Sequence, residues 1–141
     1  MEINFGNKIS AEDFNFLRRS VGWSEIEQKL AVKTVENALC IVTAIIDGKT
    51  IGLTRVCGDG GYIIFITDVI VLPDYQNKGI GRQLMAKAME FIRETFLEKG
   101  QAVFVNLMSA KGRETFYKKF GFEEGPNERA GAGMTQWIRK E

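Results

Sequence analysis

The stretch from Tyr62 to Gly100 limits the fold more than any other part of the chain. Tyr62 to Leu72 is a run of β-branched, aromatic and aliphatic residues closed by Pro73, which cannot donate to a sheet ladder; it reads as a strand apolar enough to be buried on both faces. Gln76-Asn77-Lys78-Gly79-Ile80-Gly81 follows, and from there Ile80, Leu84, Ala88, Phe91, Ile92 and Thr95 recur at helical spacing, with Gly100 as the stop. A strand that turns through two glycines into an amphipathic helix of about five turns requires a layer of helix on sheet.

The flanking segments extend that layer. A short strand around Ile3 to Phe5 precedes Ser10, which caps a helix through Phe14, Leu17 and Arg18 with Asp13 as capping partner; Ser24 and Glu27 repeat the signature for a second helix through Ile26, Leu30 and Val35. The joint Ser20-Val21-Gly22-Trp23 exposes a tryptophan. Leu39 to Ile46 and Thr50 to Val56 are strand material around the hairpin signal Asp47-Gly48, and Gly58 to Gly61 turns the chain into the long strand, giving an antiparallel meander. Ala102 to Leu107 predicts another strand, Lys111 to Phe120 a helix closed by Gly121, and Met134 to Ile138 a final strand. No repeat or linker divides the order, so residues 1–141 are expected to form a single domain.

Composition removes whole classes of chemistry. The chain has no histidine, which excludes His-based triads, His general bases and His-ligated metals, and no metal is implied. Nineteen Lys and Arg against eighteen Asp and Glu leave a net charge of +1, which gives no long-range steering to nucleic acid or an anionic membrane; any anion is captured locally. Cys40 and Cys57 lie in apolar segments and read as buried hydrophobes of a reduced protein. The longest apolar runs are about half a membrane span, so a soluble, cytoplasmic protein is expected.

Glycines at 79 and 81 let the backbone turn sharply and present successive amide N–H groups at the positive end of a helix dipole, where a pyrophosphate fits. Lys78 and Arg82 flank the turn and supply charge-assisted hydrogen bonds. A Walker A loop would need Gly-Lys-Ser/Thr after four spacers, and a dinucleotide-binding fingerprint would need a third glycine where Leu84 stands. A hydride-transfer enzyme therefore fits poorly.

With these residues in view, the sequence resembles the GCN5-related N-acetyltransferase (GNAT) superfamily, whose signature is Gln or Arg, two spacers, Gly, a spacer, and Gly or Ala at such a turn. The resemblance covers nearly the whole chain: Phe65 to Leu72 is similar to the superfamily's splayed fourth strand, Gln76 to Gly81 to its pyrophosphate loop, Ala102 to Leu107 to its fifth strand, and Phe116 to Phe122 to its C-terminal helix motif. Asp68 to Val71, Phe116-Tyr117 and Gly131-x-Gly133-Met134 also resemble a plant serotonin N-acetyltransferase-like branch and its bacterial relatives. Ala110 and Arg113 depart from the frequent Asn and Ala before the helix tyrosine.

The resemblance implies an α/β (α+β) fold: a mixed, mostly antiparallel twisted sheet flanked by helices, with the fourth and fifth strands splayed around the cofactor. It implies acetyl-CoA as donor, with the pantetheine lying along the backbone of Ile70 and Val71 and the phosphates against Gln76, Asn77, Lys78, Gly79, Ile80, Gly81 and Arg82. Direct transfer of acetyl to a primary amine of a small molecule is expected, since neither cysteine sits in a motif that activates a thiolate. Tyr117 matches the tyrosine that protonates the leaving sulfur. Asp68, a carboxylate inside an apolar strand, reads either as a base that orients or deprotonates the ammonium or as a bulge acceptor. Trp23, Tyr62 and Trp137 are expected to wall the acceptor pocket, and a homodimer is a family expectation. The alternatives are a protein lysine or N-terminal acetyltransferase and a catalytically silent CoA-binding module.

Overall fold

In the computed structural model, which describes residues 2–140, the chain divides into two compact units, Met1–Leu107 and Met108–Glu141. The first runs β1 (Asn4–Gly6), α1 (Ala11–Ser20), α2 (Gln28–Glu36), β2 (Cys40–Ile46), β3 (Lys49–Gly58), β4 (Ile63–Val71), a 3-10 turn (Pro73–Tyr75), α3 (Ile80–Phe96) and β5 (Phe104–Leu107). The five strands form one sheet in chain order; β1 to β4 pair antiparallel and β4 with β5 parallel. This is the mixed, mostly antiparallel sheet flanked by helices that the resemblance implies.

Local chemistry explains the elements. The Ser10 hydroxyl accepts the Asp13 amide at 3.0 Å and starts α1. Asp47 (φ 48°) and Gly48 (φ 76°) are both left-handed, the conformation of a two-residue turn whose twist matches the flanking strands β2 and β3. Leu84 of α3 packs where Gly52 and Ala44 leave room, a Cβ built on Gly52 meeting its Cδ1 at 3.0 Å. The core joins Phe14 and Leu17 of α1, Ile51 and Leu53 of β3, Ile70 of β4, and Ile80 and Leu84 of α3.

The structure corrects several expectations. α2 begins at Gln28, capped by Glu27, whose carboxylate accepts from the Lys29 and Leu30 amides; Ser24 lies outside it. Ala31 therefore faces the core and Leu30 is exposed, while Ile26 is held ahead of the helix by both ends of the Asn15 amide (2.8 and 2.9 Å). β4 alternates instead of burying both faces: Ile64 and Ile66 are buried, and Phe65 between them is open. α3 ends at Phe96, with Leu97 already extended, before Gly100 is reached. No helix is long and apolar enough to cross a membrane among the described residues.

In the second unit, α4 (Glu114–Lys118) is shorter than the Lys111 to Phe120 expectation; Gly112 at φ 90° and Gly121 at φ 89° bracket it. Met134 to Ile138 forms no strand, and Met134, Trp137 and Ile138 are largely exposed. An extended segment becomes a strand only by pairing, and this unit offers no second strand to pair with among its described residues.

Candidate active site

β4 and β5 pair only from Ile63↔Phe104 to Ile66↔Leu107. β4 then continues from Thr67 to Val71 with no strand paired on that side among the described residues, so the two strands part and leave an open backbone edge. At the parting, Leu53 faces Ile70 and Arg55 faces Thr67, so Thr54 opposes both Asp68 and Val69: a β-bulge with Asp68 at φ 54°. Beyond it the Leu72 amide donates to the Ile51 carbonyl at 2.9 Å, which turns the backbone groups of Leu72 and Ile70 toward β3 and those of Val69 and Val71 toward the open edge. Ile70, expected to offer its backbone at that edge, is thus turned away, and Val69 takes its place.

Beyond the 3-10 turn the chain reverses at Asn77 (φ 62°) and Gly79 (φ 80°), the latter standing at the head of α3 in a conformation that few side-chain-bearing residues adopt. The first helical bond there is Gln83 N–H to the Gly79 carbonyl; no side chain caps the turn, and the Gly79, Ile80, Gly81 and Arg82 amides have no acceptor among the described residues. Asn77, Lys78 and Arg82 are exposed around them. Ile80 contributes only its backbone, since its side chain is core. The Gln76 side chain does not reach outward: its Nε2 donates to the Val71 carbonyl at 2.9 Å and straps the turn to the end of β4.

Asp68 is buried, and both its oxygens are taken. Arg18 Nη1 donates to Oδ1 at 3.0 Å and Arg55 Nε to Oδ2 at 2.7 Å. Arg55 Nη1 also donates to Cys57 Sγ at 3.2 Å, and Arg18 Nε to the Ser24 carbonyl at 2.8 Å. The Arg18 guanidinium lies 5.5 Å from the Trp23 ring centre and 5.7 Å from that of Phe14, which Arg55 approaches to 5.5 Å. Trp23 and Asp68 are thereby joined through Arg18. Tyr62, 62% exposed, precedes the far end of β4, about 20 Å from Asp68 at the strand rise, and does not share this cluster.

Arg18 and Arg55 carry the cluster and escaped the sequence reading. The signal was present in both: Arg55 interrupts an apolar strand and Arg18 follows Phe14 by one helical turn. Burial pushes the Cys40 thiol up; it does the same at Cys57, where Arg55 opposes it and Asp68 adds to it. Both thiols therefore stay protonated near neutrality.

In the second unit Tyr117 is buried on α4, its ring edge-to-face with Phe116 at 5.0 Å and Phe122 at 6.4 Å. Burial raises its phenol above the ordinary value and Arg113 draws it partly back, which keeps the proton on the oxygen at neutral pH. Trp137, also in this unit, is 74% exposed, with the Arg139 guanidinium 5.8 Å from its ring.

The acetyltransferase (GNAT) domain family matches residues 37–124, more than half of the chain and part of both units. The chain belongs to the GNAT acetyltransferase family. It is 25% identical over 129 residues to an uncharacterized N-acetyltransferase, ycf52, of Pyropia yezoensis, covering 89% of this chain and 71% of that protein. A crystal structure of a probable acetyltransferase of unknown function from Staphylococcus aureus superposes with a TM-score of 0.84 and 30% identity, over 96% of this chain and all of that one. The more distant AAC(6')-Iy, solved with the bisubstrate analogue CoA-S-monomethyl-acetylneamine, shares the GNAT fold at a TM-score of 0.68 and 18% identity, over 100% of this chain and 99% of that one.

Proposed function

We propose that this GNAT enzyme takes acetyl from acetyl-CoA and passes it directly to a primary amine on a small molecule. The observation that carries the reading is the open edge of β4 ending beside the uncapped amides of α3. An amide-bearing arm can add to that edge as an extra strand, meeting the N–H and carbonyl of Val69 and the N–H of Val71, whose carbonyl already accepts from Gln76, while a diphosphate takes the N–H groups of Gly79 to Arg82 with Lys78 and Arg82 as counter-charges. Gln76 serves the cofactor indirectly, by fixing the turn to β4.

Direct transfer is supported by the two thiols, which burial keeps protonated and so poorly nucleophilic. In this reading the amine attacks the thioester carbonyl, the carbon–sulfur bond breaks, and Tyr117 gives its proton to the departing sulfur. The raised phenol keeps this donor in its protonated form at neutral pH. Asp68 is assigned a positioning role, because its oxygens already accept from two guanidiniums. Trp23 borders the acceptor side through its stacking on Arg18, and Trp137 is offered as a further acceptor contact, whereas Tyr62, about 20 Å along β4 from Asp68, lies outside that site. The family match through both units favours one acetyltransferase domain, the unpaired thiols favour a cytoplasmic setting, and the exposed Met134, Trp137 and Ile138 offer an apolar surface for a homodimer.

Calorimetry with coenzyme A, followed by a thiol-release assay over a panel of primary amines, tests the reading. Binding in the micromolar range with turnover of at least one amine is expected. No heat at millimolar coenzyme A would overturn the cofactor assignment, and tight binding without turnover on any amine or peptide would leave a silent CoA-binding module.

A further inference from the structure

The cluster around Asp68 is not neutral. Two guanidiniums share one carboxylate, and no second acidic side chain reaches either of them among the described residues, so the group carries a net charge of +1. The two arginine side chains retain only 12% and 13% exposure. Each uses part of its hydrogen-bonding capacity: Arg18 through Nε and Nη1, Arg55 through Nε and Nη1. The Nη2 of each donates to nothing among the described residues, yet neither is a sealed, unsatisfied atom, the side-chain atoms of that kind among the described residues being the hydroxyls of Thr43 and Thr54. Both free corners therefore reach solvent.

An enclosed excess of positive charge with free, solvent-reaching N–H groups, set between the Phe14 and Trp23 rings, is the chemistry that receives an oxyanion. It stands on the bulge, next to the backbone edge to which the thioester arm is assigned. We propose that Arg18 and Arg55 form an anion-recognition subsite for the acceptor, so that the amine acetylated here also bears a carboxylate or phosphate group, held at Nη2 while its nitrogen faces the thioester. Asp68 sets the geometry: by engaging Nη1 of Arg18 and Nε of Arg55 it fixes both forks and leaves their outer corners for the substrate. The inference rests on the acetyl-transfer reading and names the acceptor class for that same site.

The test compares matched primary amines with acetyl-CoA: phenylalanine against phenethylamine, and 3-aminopropanoate and 3-aminopropyl phosphate against propylamine. The expected result is a kcat/KM at least tenfold higher for an anionic member than for its neutral counterpart, with the carboxylate and phosphate arms telling which oxyanion fits. In Arg18→Lys, which keeps the charge but loses the fork, and in Arg18→Met, the ratio should fall to within twofold. A wild-type ratio below two in both series overturns the subsite, whatever the variants do. Calorimetric titration of the same amines, with and without coenzyme A, reads the subsite independently of turnover: anionic members should bind at least tenfold more tightly than neutral ones, and equal affinities overturn it. Failure of every amine to turn over, with this binding preference intact, would count against the acetyl-transfer reading and not against the subsite.

Discussion

Asp68→Asn is the most informative single change, because asparagine keeps the shape and tolerates the left-handed backbone that φ 54° imposes, so the loss is confined to the charge and one of the two acceptor oxygens. The wild-type carboxylate is 6% exposed and bonded to two guanidiniums that are themselves nearly buried. Removing one partner from a buried ion pair costs about 3–5 kcal/mol, since the remaining charge keeps its desolvation cost without compensation. The amide oxygen still accepts from one arginine and both arginines reach water at one corner, which points to the lower end, about 3 kcal/mol. For a chain of this length that corresponds to a fall in Tm of about 6–12 °C. Urea unfolding at neutral pH reads the free energy, and Arg18→Met with the double variant closes a cycle whose coupling should exceed about 1 kcal/mol. A stability loss below about 1 kcal/mol would show that the two contacts do not hold the bulge. Activity separates positioning from proton transfer: a positioning Asp68 predicts a kcat profile lowered by one common factor at all pH values, whereas a change in the shape of the acidic limb would restore the carboxylate as base.

Two further changes probe the proposed proton donor and the proposed diphosphate turn. Tyr117→Phe should lower kcat by about a hundredfold while leaving coenzyme A affinity within twofold; unchanged turnover would reject the proton-donor assignment. Because burial raises the phenol, its protonated form persists through neutral pH and is lost only above the ordinary value of about 10, so the wild-type alkaline limb should lie there and vanish in the variant. Gly81→Glu should weaken coenzyme A binding at least tenfold, about 1.4 kcal/mol, by placing negative charge among the α3 amides. The same charge suits a helix N-terminus, so Tm should hold or rise; unaltered affinity would mean that the diphosphate binds elsewhere.

The order of elements in the first unit was legible because each one is announced by local chemistry: Ser10 as a cap, Asp47-Gly48 as a hairpin, Pro73 as the end of a strand, Gly79 and Gly81 as the entry to α3. What failed were features set by partners. A Ser24 cap carries Leu30 on the apolar face with Ile26 and Val35, but the Glu27 carboxylate accepts from two amides, the helix starts at Gln28, and Ala31 takes the buried position. Met134 to Ile138 has the composition of a strand and pairs with no strand among the described residues. Arg18 and Arg55 are 37 positions apart in sequence, from 18 to 55, and only the sheet's return past α1 brings both to one carboxylate.

The error at Ile70 shows how one residue's conformation governs the cofactor edge. Before the bulge, the Tyr62 carbonyl accepts the Phe104 amide while the Ile63 carbonyl accepts the Asp59 amide, so even-numbered residues face β5 and odd-numbered ones face β3. Strict alternation would carry that pattern on to Ile70. The extra residue at Asp68 reverses it: after the bulge the even residues bond β3, and Val69 and Val71 are left facing outward. The left-handed backbone at Asp68 is costly for a residue other than glycine, and the two arginine contacts hold it in place. The carboxylate thus connects the two sides of the proposed reaction, since the ion pairs that fix the arginine forks toward the acceptor also fix which amides line the edge where β4 leaves β5.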